Sequence, residues 1–433
     1  MTTTDALPQV TGPEVSRELF GGVLDYDGAG YYPGLELVNF VFRSSGDGLL
    51  PADDPARLVR AAQDFARRLV WDETFHSIEE RREVFLNDRS EDAVRRLLEC
   101  LELEIPSIRK RPTWERAHFF PYSRSLIHWD ARHRYGRISL ERRYLRGGGA
   151  LAYRVLRKDP DSTRLDRCRD GFQGLFSHNQ VSALEELVEV LSAHGFSDDE
   201  AVADEVEGKS RAFDDKLDDL YRDGTVNLLG HFELPRSARI RALTNWTALW
   251  LIILQHSRAS AFLGAPPGRL ICDCSGDHPQ LRRASQRCLR DRQATILEAV
   301  QKSVKDKNAQ ISSTQLNKIR GFFWASAATI GLLNSWTGRR HFLLGLHILE
   351  PLVLAATEST DQISFEEFTY DWLFGRCGLV VSRRAAEECD LLKTIDASVF
   401  EDNEAHLADQ MKAAGLLVEY SDATRMVGSG GLR

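Results

Sequence analysis

Apolar residues recur along most of this chain at the three- and four-residue spacing of an amphipathic helix. Residues 235–264 form the longest such segment, and they are apolar on every side near Trp250. Because a helix without a polar face must be surrounded by protein, this segment is predicted to be central to a core. Further helices are predicted for residues 279–307, 313–334 and 341–357. The fold class expected is α+β and predominantly α-helical.

Other segments break or resume this spacing. GLELVNFVF (34–42) and GRLICDCSG (268–276) are short, densely apolar runs, and each is predicted to be a strand. Residues 53–69 return to helical spacing. Residues 197–209 open with Ser197 and a glutamate three positions later, which is the pattern of a helix capping box. Both of these last segments are predicted to be helices.

The chain has 433 residues, more than one hydrophobic core usually needs, so several domains are expected. Its overall charge is −8, but the local net charge alternates: −10 for residues 1–105, +11 for 106–158, −7 for 159–270, +7 for 271–345 and −9 for 346–433. The expected division is an acidic N-terminal region (1–105), a basic aromatic segment (106–158), a helical central domain with a short buried strand (159–345) and a C-terminal module (346–433).

The basic aromatic segment carries the clearest functional signal. Its densest part reads RHRYGRISLERRYLRGGG (132–149). Arginine binds phosphate oxygens through paired hydrogen bonds, and aromatic rings stack on bases. The combination predicts nucleic-acid binding, to DNA rather than RNA, with a second basic stretch extending the track. The predicted binding residues are Arg132, Arg134, Arg137, Arg142, Arg143, Arg146, Trp129, Tyr135, Tyr144, Arg282, Arg283, Arg287 and Arg290.

The basic blocks also allow two alternative roles. The arginines could pair with acidic residues of the same chain or of a partner protein, or they could bind a phosphorylated small molecule. The three glycines that end the stretch likewise allow two local structures. Residues 139–145 could form a short helix that ends at the glycines. Alternatively, residues 137–146 and 150–158 could form a β-hairpin, which the period-two alternation of ALAYRVLRK favours.

The motif CDCSGDH (272–278) offers candidate chemistry in the central domain. Together with Cys288 it supplies the ligand types of a zinc site, namely Cys272, Cys274, His278 and Cys288. Only one closely spaced ligand pair is present, however, and buried cysteines also serve as small apolar residues. Asp273 follows a predicted strand, where it could be an active-site acid or a turn carboxylate. No metal, cofactor or catalytic residue is predicted from this motif.

A second group of acidic residues could either bind a metal ion or simply face solvent. Asp214, Asp215, Asp218 and Asp219 have helical spacing, which suits a Mg²⁺ site or a solvated acidic face. EGK (207–209) matches half of a metal-dependent nuclease signature but falls in a predicted helix, where that chemistry needs a strand. The chain contains no phosphate-binding loop and no dinucleotide fingerprint.

The sequence shows no signal peptide and no membrane-spanning segment. The N-terminal sequence lacks the pattern of a signal peptide, and the longest apolar run is too short to span a bilayer. Seven irregularly spaced cysteines argue against a disulfide framework. The protein is expected to be cytoplasmic and to have no membrane contact.

The C-terminal part has a recognisable order of elements. Residues 363–428 contain FEEF, FGRCGLVV and GLLVEYSDATRMV, which predict a helix, a short apolar strand, helices and then a strand–turn–strand. This part resembles winged-helix-like modules in accessory proteins of bacterial anti-phage and DNA-transaction gene clusters. The resemblance implies protein partners encoded at the same locus. The module is acidic, so it need not contact DNA itself.

These observations predict a non-enzymatic nucleic-acid-binding or scaffolding subunit of a multi-protein bacterial assembly, and the resemblance places it in anti-phage defence. One alternative is a protein–protein interaction subunit without nucleic acid. The second alternative is a metal-dependent, nuclease-like enzyme that uses Asp273 or the acidic face at residues 214–219.

Overall fold

The computed structural model describes residues 7–24, 33–43, 147–175, 216–275, 278–335, 338–421 and 424–430, with short pieces at 49, 51, 59–63, 85, 87, 89–93, 96, 131–134, 137–140, 197–201 and 213. Helices dominate this part of the chain, as the sequence predicted. They are α1 (Gly12–Phe20), α2 (Pro33–Arg43), α3 (Gly149–Arg157), α4 (Ser162–Gln173), α5 (Leu217–Leu229), α6 (Arg236–Phe262), α7 (Pro279–Asp306), α8 (Ser313–Thr329), α9 (Leu346–Ala356), a π-helix (Glu367–Arg376), α10 (Arg383–Glu388), a 3-10 turn (Leu391–Lys393) and α11 (Ala397–Ala413).

The strands are short and form small sheets. They are β1 (Val59–Gln63), β2 (Ala131–Arg134), β3 (Arg137–Leu140), β4 (Ser197–Ala201), β5 (Leu270–Ile271), β6 (Ile363–Ser364), β7 (Leu379–Val380), β8 (Leu417–Ser421) and β9 (Thr424–Val427). β1 pairs with β4, β2 with β3, and β5 with β7, while β6, β9 and β8 form a three-stranded sheet in that order.

Helix α6 is the centre of the core, which confirms the prediction for residues 235–264. It packs against α1, α2, α5, α7, α8 and α9. Trp246 and Trp250 are fully buried on it. The Trp250 indole N–H donates to the backbone oxygen of Leu217 at 2.8 Å, and its ring stacks on Tyr221 with centroids 4.1 Å apart. The stacked pair therefore buries two large rings and satisfies the polar edge of the indole.

The segment predicted as a strand at residues 34–42 is helix α2, so that prediction was wrong. Its apolar residues are buried around the whole helix. Its polar residues Glu36, Asn39 and Arg43 are spaced i, i+3 and i+7, which is a helical period, so the prediction gave too much weight to the density of apolar residues. The helix also holds a buried carboxylate, since Glu36 Oε2 accepts a hydrogen bond of 2.7 Å from the Gly149 amide at the start of α3.

Two predicted helices contain strands instead. β1 lies inside residues 53–69 and β4 inside 197–209, and the two pair antiparallel with Val59 opposite Ala201 and Gln63 opposite Ser197. The helix predictions were wrong over these strands. Their backbone hydrogen bonds join segments that are far apart in sequence, whereas local spacing and a capping box report only on near neighbours.

The hairpin favoured at the three glycines is also not as predicted. Strands β2 and β3 form a hairpin upstream of the glycines, and ALAYRVLRK is helix α3 rather than a strand. Gly147 and Gly148 have φ of 99° and 108°, which side-chain-bearing residues rarely adopt. A Cβ on Gly149 would lie 2.6 Å from the Leu37 backbone nitrogen. The glycines therefore allow α3 to approach α2.

A short parallel pair joins the C-terminal residues to the central helices. β5 is the buried strand predicted near residue 270, and it pairs with β7. The buried side chain of Asn403 on α11 fastens this junction. Its Oδ1 accepts from the Cys274 amide at 2.7 Å, and its Nδ2 donates to the oxygens of Cys272 at 3.1 Å and Val381 at 2.9 Å. One side-chain amide thus provides hydrogen-bond partners for three buried backbone groups.

The order predicted for residues 363–428 is observed, with the π-helix, β7, α10, α11 and the β8–β9 hairpin following one another. The predicted helices around residues 279–307, 313–334 and 341–357 are α7, α8 and α9, and Pro351 lies inside α9. Within the part of the chain that the structure describes, no helix is long and apolar enough to cross a lipid bilayer.

Replacing Gly34 tests the close packing of α2 on α6. A Cβ at this position would lie 2.4 Å from the Thr244 Cα, a backbone atom that cannot move without shifting α6. We expect Gly34→Ala to lower the free energy of unfolding by about 2 kcal/mol, as measured by urea denaturation. The control is Gly375→Ala, which is helical and whose nearest neighbour is 3.4 Å away. Equal stability of the two variants would contradict the packing described.

Removing the Asn403 amide tests the junction between β5, β7 and α11. Asn403→Ala leaves two buried carbonyls and one amide without their partner, so we expect a loss of about 3 kcal/mol or more in the free energy of unfolding. Asp402→Ala is the control, because Asp402 is the exposed neighbour on the same helix. A thermal or urea midpoint for Asn403→Ala equal to that of the control would show that the junction contributes nothing.

Candidate nucleic-acid interface

Helix α7 presents arginines on its solvent face. It begins at Pro279, a residue favoured at the first helical position. One side of α7 is buried against α1, α6 and α8. Arg283, Arg287 and Arg290 are exposed and are spaced i, i+4 and i+7, so they lie on one face of the helix. We call these three residues the α7 arginine stripe.

The α7 arginine stripe forms no ion pair among the described residues, and the exposed acidic residue nearest to it on α7 is Asp291. Among the residues that the structure describes, none of its three side chains has an ion-pair or hydrogen-bond partner. The first turn of α7 also contains no acidic residue. The predicted Arg282 differs, because it is half-buried, lies about 100° around the helix and has a contact of its own.

Arginines of α4, α5 and the elements around them are tightly paired, whereas Arg339 is exposed and has no ion pair among the described residues. Arg164 binds three carboxylates, with Asp159 at 2.6 Å, Asp223 at 2.6 Å and Asp219 at 3.0 Å. Hydrogen bonding to Asp159 raises the pKa of Arg164 above its ordinary value, although partial burial opposes this. Internal charge pairing, which the alternating blocks suggested, is therefore real for this network.

The described residues of the acidic face predicted at 214–219 also form ion pairs with arginines of the same chain. Asp218 Oδ1 accepts from Arg258 Nη2 at 3.0 Å, and Asp219 binds Arg164 and Arg222. Asp214 and Asp215 lie outside the described residues, as does EGK (207–209). The described carboxylates of this face are thus bound to arginines of the same fold rather than arranged around a cation.

A cavity of about 340 Å³ lies beside this network, between α4, α5, the chain after α9 and the end of the π-helix. The charges that line it are paired: Arg376 binds Asp223 at 2.7 Å, and Arg167 binds Glu358 at 2.9 Å. Sequence reasoning missed this cluster. Its residues come from four separate elements, and no local motif links them.

The hairpin of β2 and β3 contains the described part of the basic aromatic segment. Its register sets position 132 opposite 139 and position 134 opposite 137. Because alternate positions of a strand share a face, Arg132, Arg134 and Arg137 occupy positions on the same face of the ribbon. The remaining predicted binding residues of this segment lie outside the described residues: Trp129, Tyr135, Arg142, Arg143, Tyr144 and Arg146.

The cysteines of the candidate zinc motif are buried thiols. Cys288 Sγ donates to the Arg269 oxygen at 3.1 Å, and Cys272 Sγ to the Leu270 oxygen at 3.6 Å. Burial raises the pKa of Cys272, Cys274 and Cys288, which disfavours the thiolate that a metal needs. No group of three or more metal-ligating side chains converges within the described residues.

Asp273 is fully buried at the end of β5. Its Oδ1 accepts hydrogen bonds of 3.2 Å from both the amide and the hydroxyl of Ser275, and its Oδ2 lies 3.5 Å from His341 Nε2. Its backbone bridges to Leu343. These contacts match those of a turn carboxylate that ties two chain segments together.

The buried ion-pair network gives a stability prediction. Asp159 has a side chain that is only 3% exposed, so Arg164→Ala would leave a buried carboxylate without its main partner. We expect a loss of about 3 kcal/mol or more in the free energy of unfolding. Arg167→Ala breaks a pair whose two side chains are about half exposed, and it should cost less than about 1 kcal/mol. Urea denaturation compares the two, and equal losses would contradict a buried network.

No protein-family model, no curated protein and no solved structure matches this chain. Its function therefore has to be inferred from its residues and their geometry.

Proposed function

We propose that this protein is a non-enzymatic nucleic-acid-binding subunit, and that the α7 arginine stripe holds phosphates. The observation that carries the proposal is the lack of internal partners, among the described residues, for three exposed arginines on one helix face. Guanidinium groups form bidentate hydrogen bonds with phosphate oxygens. At a rise of 1.5 Å per residue, Arg283 to Arg290 spans about 10 Å, which matches about three phosphates along the axis of one duplex strand.

The contrast with the rest of the protein supports this proposal. Where the fold uses arginines for its own stability, they reach carboxylates at hydrogen-bond distance, as Arg164 and Arg376 do. The arginines of the α7 stripe have no such partner among the described residues, so their positive charges repel one another along the helix. A polyanion removes that repulsion when it binds.

The basic hairpin is the second proposed contact. The β2–β3 register sets position 134 opposite position 137, so Arg132, Arg134 and Arg137 occupy positions on one face of the ribbon. A two-stranded ribbon of this kind fits the major groove of DNA. Arg142, Arg143 and Arg146 would extend the phosphate contacts, while Trp129, Tyr135 and Tyr144 would stack on bases.

We assign the C-terminal residues to protein docking. The sheet order β6–β9–β8, with helices between β6 and β8, supports a winged-helix-like module. Asp402 and Asp409 are exposed on α11, so this helix would repel phosphate. Such an acidic face fits a basic surface on another subunit of a bacterial assembly. The resemblance implies that this assembly acts in anti-phage defence, and we place it in the cytoplasm.

Salt-dependent binding of labelled DNA tests the proposal. Fluorescence anisotropy would be measured for duplex and single-stranded DNA between about 50 and 200 mM salt, for the wild type and for Arg283→Glu/Arg287→Glu/Arg290→Glu. Each phosphate contact on duplex contributes roughly −0.9 to the slope of log affinity against log salt. We expect the triple variant to bind duplex DNA more weakly than the wild type at about 50 mM salt and to show a shallower slope.

The control is Arg167→Glu/Arg241→Glu/Arg383→Glu, which changes the net charge equally but at exposed arginines that already bind glutamates. It should keep most of the wild-type affinity. If the wild type binds neither form of DNA at about 50 mM salt, the proposal is wrong.

A further inference from the structure

We infer that the α7 arginine stripe binds the backbone of a double strand rather than a single strand, an inference that rests on the proposed function. Binding of single strands depends on aromatic platforms that stack successive bases. Helix α7 (Pro279–Asp306) contains no Phe, Tyr or Trp. The stripe can therefore grip phosphates, but it offers no surface on which an unstacked base would rest.

The shape of α7 favours a regular ligand. Leu281, Ser285, Leu289 and Ile296 are buried on its inner side, and α1, α6 and α8 hold that side in place. The arginines consequently project from a fixed row, with about 6 Å of axis between Arg283 and Arg287 and about 4.5 Å between Arg287 and Arg290. Because the helix backbone holds this row in place, the row suits phosphates that a duplex also holds in a regular array, whereas a flexible single strand would lose entropy on becoming ordered there.

Charge density points the same way. A duplex carries a negative charge about every 1.7 Å of axis and a strand of it about every 3.4 Å, and the salt dependence per contact is roughly 0.9 for duplex against 0.7 for single strands. The three arginines of the stripe therefore gain more from a duplex. The aromatic residues of the chain that suit unstacked bases are concentrated instead at residues 106–158, away from α7 in the sequence.

The test compares a labelled 20-base-pair duplex with one of its strands alone, using anisotropy at about 0.1 M salt. The variant is Arg283→Gln/Arg287→Gln/Arg290→Gln, and the control is Arg167→Gln/Arg241→Gln/Arg383→Gln, which removes the same charge. Circular dichroism establishes that both are folded. We expect the variant to bind duplex roughly a hundredfold more weakly, with a salt slope shallower by roughly 2.7. Its affinity for the single strand should stay within about threefold of the wild type, and the control should match the wild type on both.

The outcomes separate this inference from the proposed function. Wild-type preference for the single strand, or an equal loss of both forms in the variant, overturns the inference while leaving nucleic-acid binding intact. No binding of either form by the wild type overturns both. A loss confined to the duplex supports the assignment of the stripe to double-stranded nucleic acid.

Discussion

Burial of helix α6 on every side is the constraint on which the structure depends. A 27-residue helix with Trp246, Trp250 and most of its length out of contact with water must be surrounded by other elements. Helices α1, α2, α5, α7, α8 and α9 supply that shell. Most shell helices give one face to α6 and its neighbours and leave another to solvent, whereas α2 is buried on every side. The amphipathic division of α7, with apolar residues inside and arginines outside, follows from its place in this shell.

Electrostatics then divides the shell into two kinds of surface. Around α4 and α5, arginines and carboxylates meet at 2.6–3.0 Å, and burial makes these pairs matter to stability. Along α7, three arginines have no counterpart in the part of the chain that the structure describes. The two surfaces have the same residue type, so composition alone cannot separate them. Pairing geometry does, and it explains why a chain with a charge of −8 can still offer a cationic site.

Long helices with clear spacing were predictable from the sequence. Helical spacing over residues 235–264 and 279–307 predicted α6 and α7. A short apolar run predicted the strand near residue 270. The errors have two causes. Residues 34–42 were predicted as a strand from their apolar density, although Glu36, Asn39 and Arg43 keep helical spacing. For β1 and β4 the missing information was not local, because these strands exist by pairing with each other across the chain.

The candidate site shows the same limit. The sequence predicted Arg282, Arg283, Arg287 and Arg290 as one basic stretch. It could not reveal that Arg282 turns partly inward or that Asp218 and Asp219 already bind arginines. Asn403 carried no signal at all, because its three backbone partners lie in β5, β7 and the turn after β5. Side-chain partners of this kind depend on which helices meet, and only the assembled fold determines that.

Arginine-specific chemical modification, read by mass spectrometry with and without duplex DNA, tests the central claim most directly. In the free protein, Arg283, Arg287 and Arg290 should react quickly, while Arg164, Arg239 and Arg258, which are paired or buried, should react slowly. Duplex DNA should protect the stripe and leave the exposed Arg383 unchanged. Slow reaction of the stripe in the free protein would mean that it is paired within the fold. Fast reaction that DNA does not alter would mean that nucleic acid binds elsewhere or not at all.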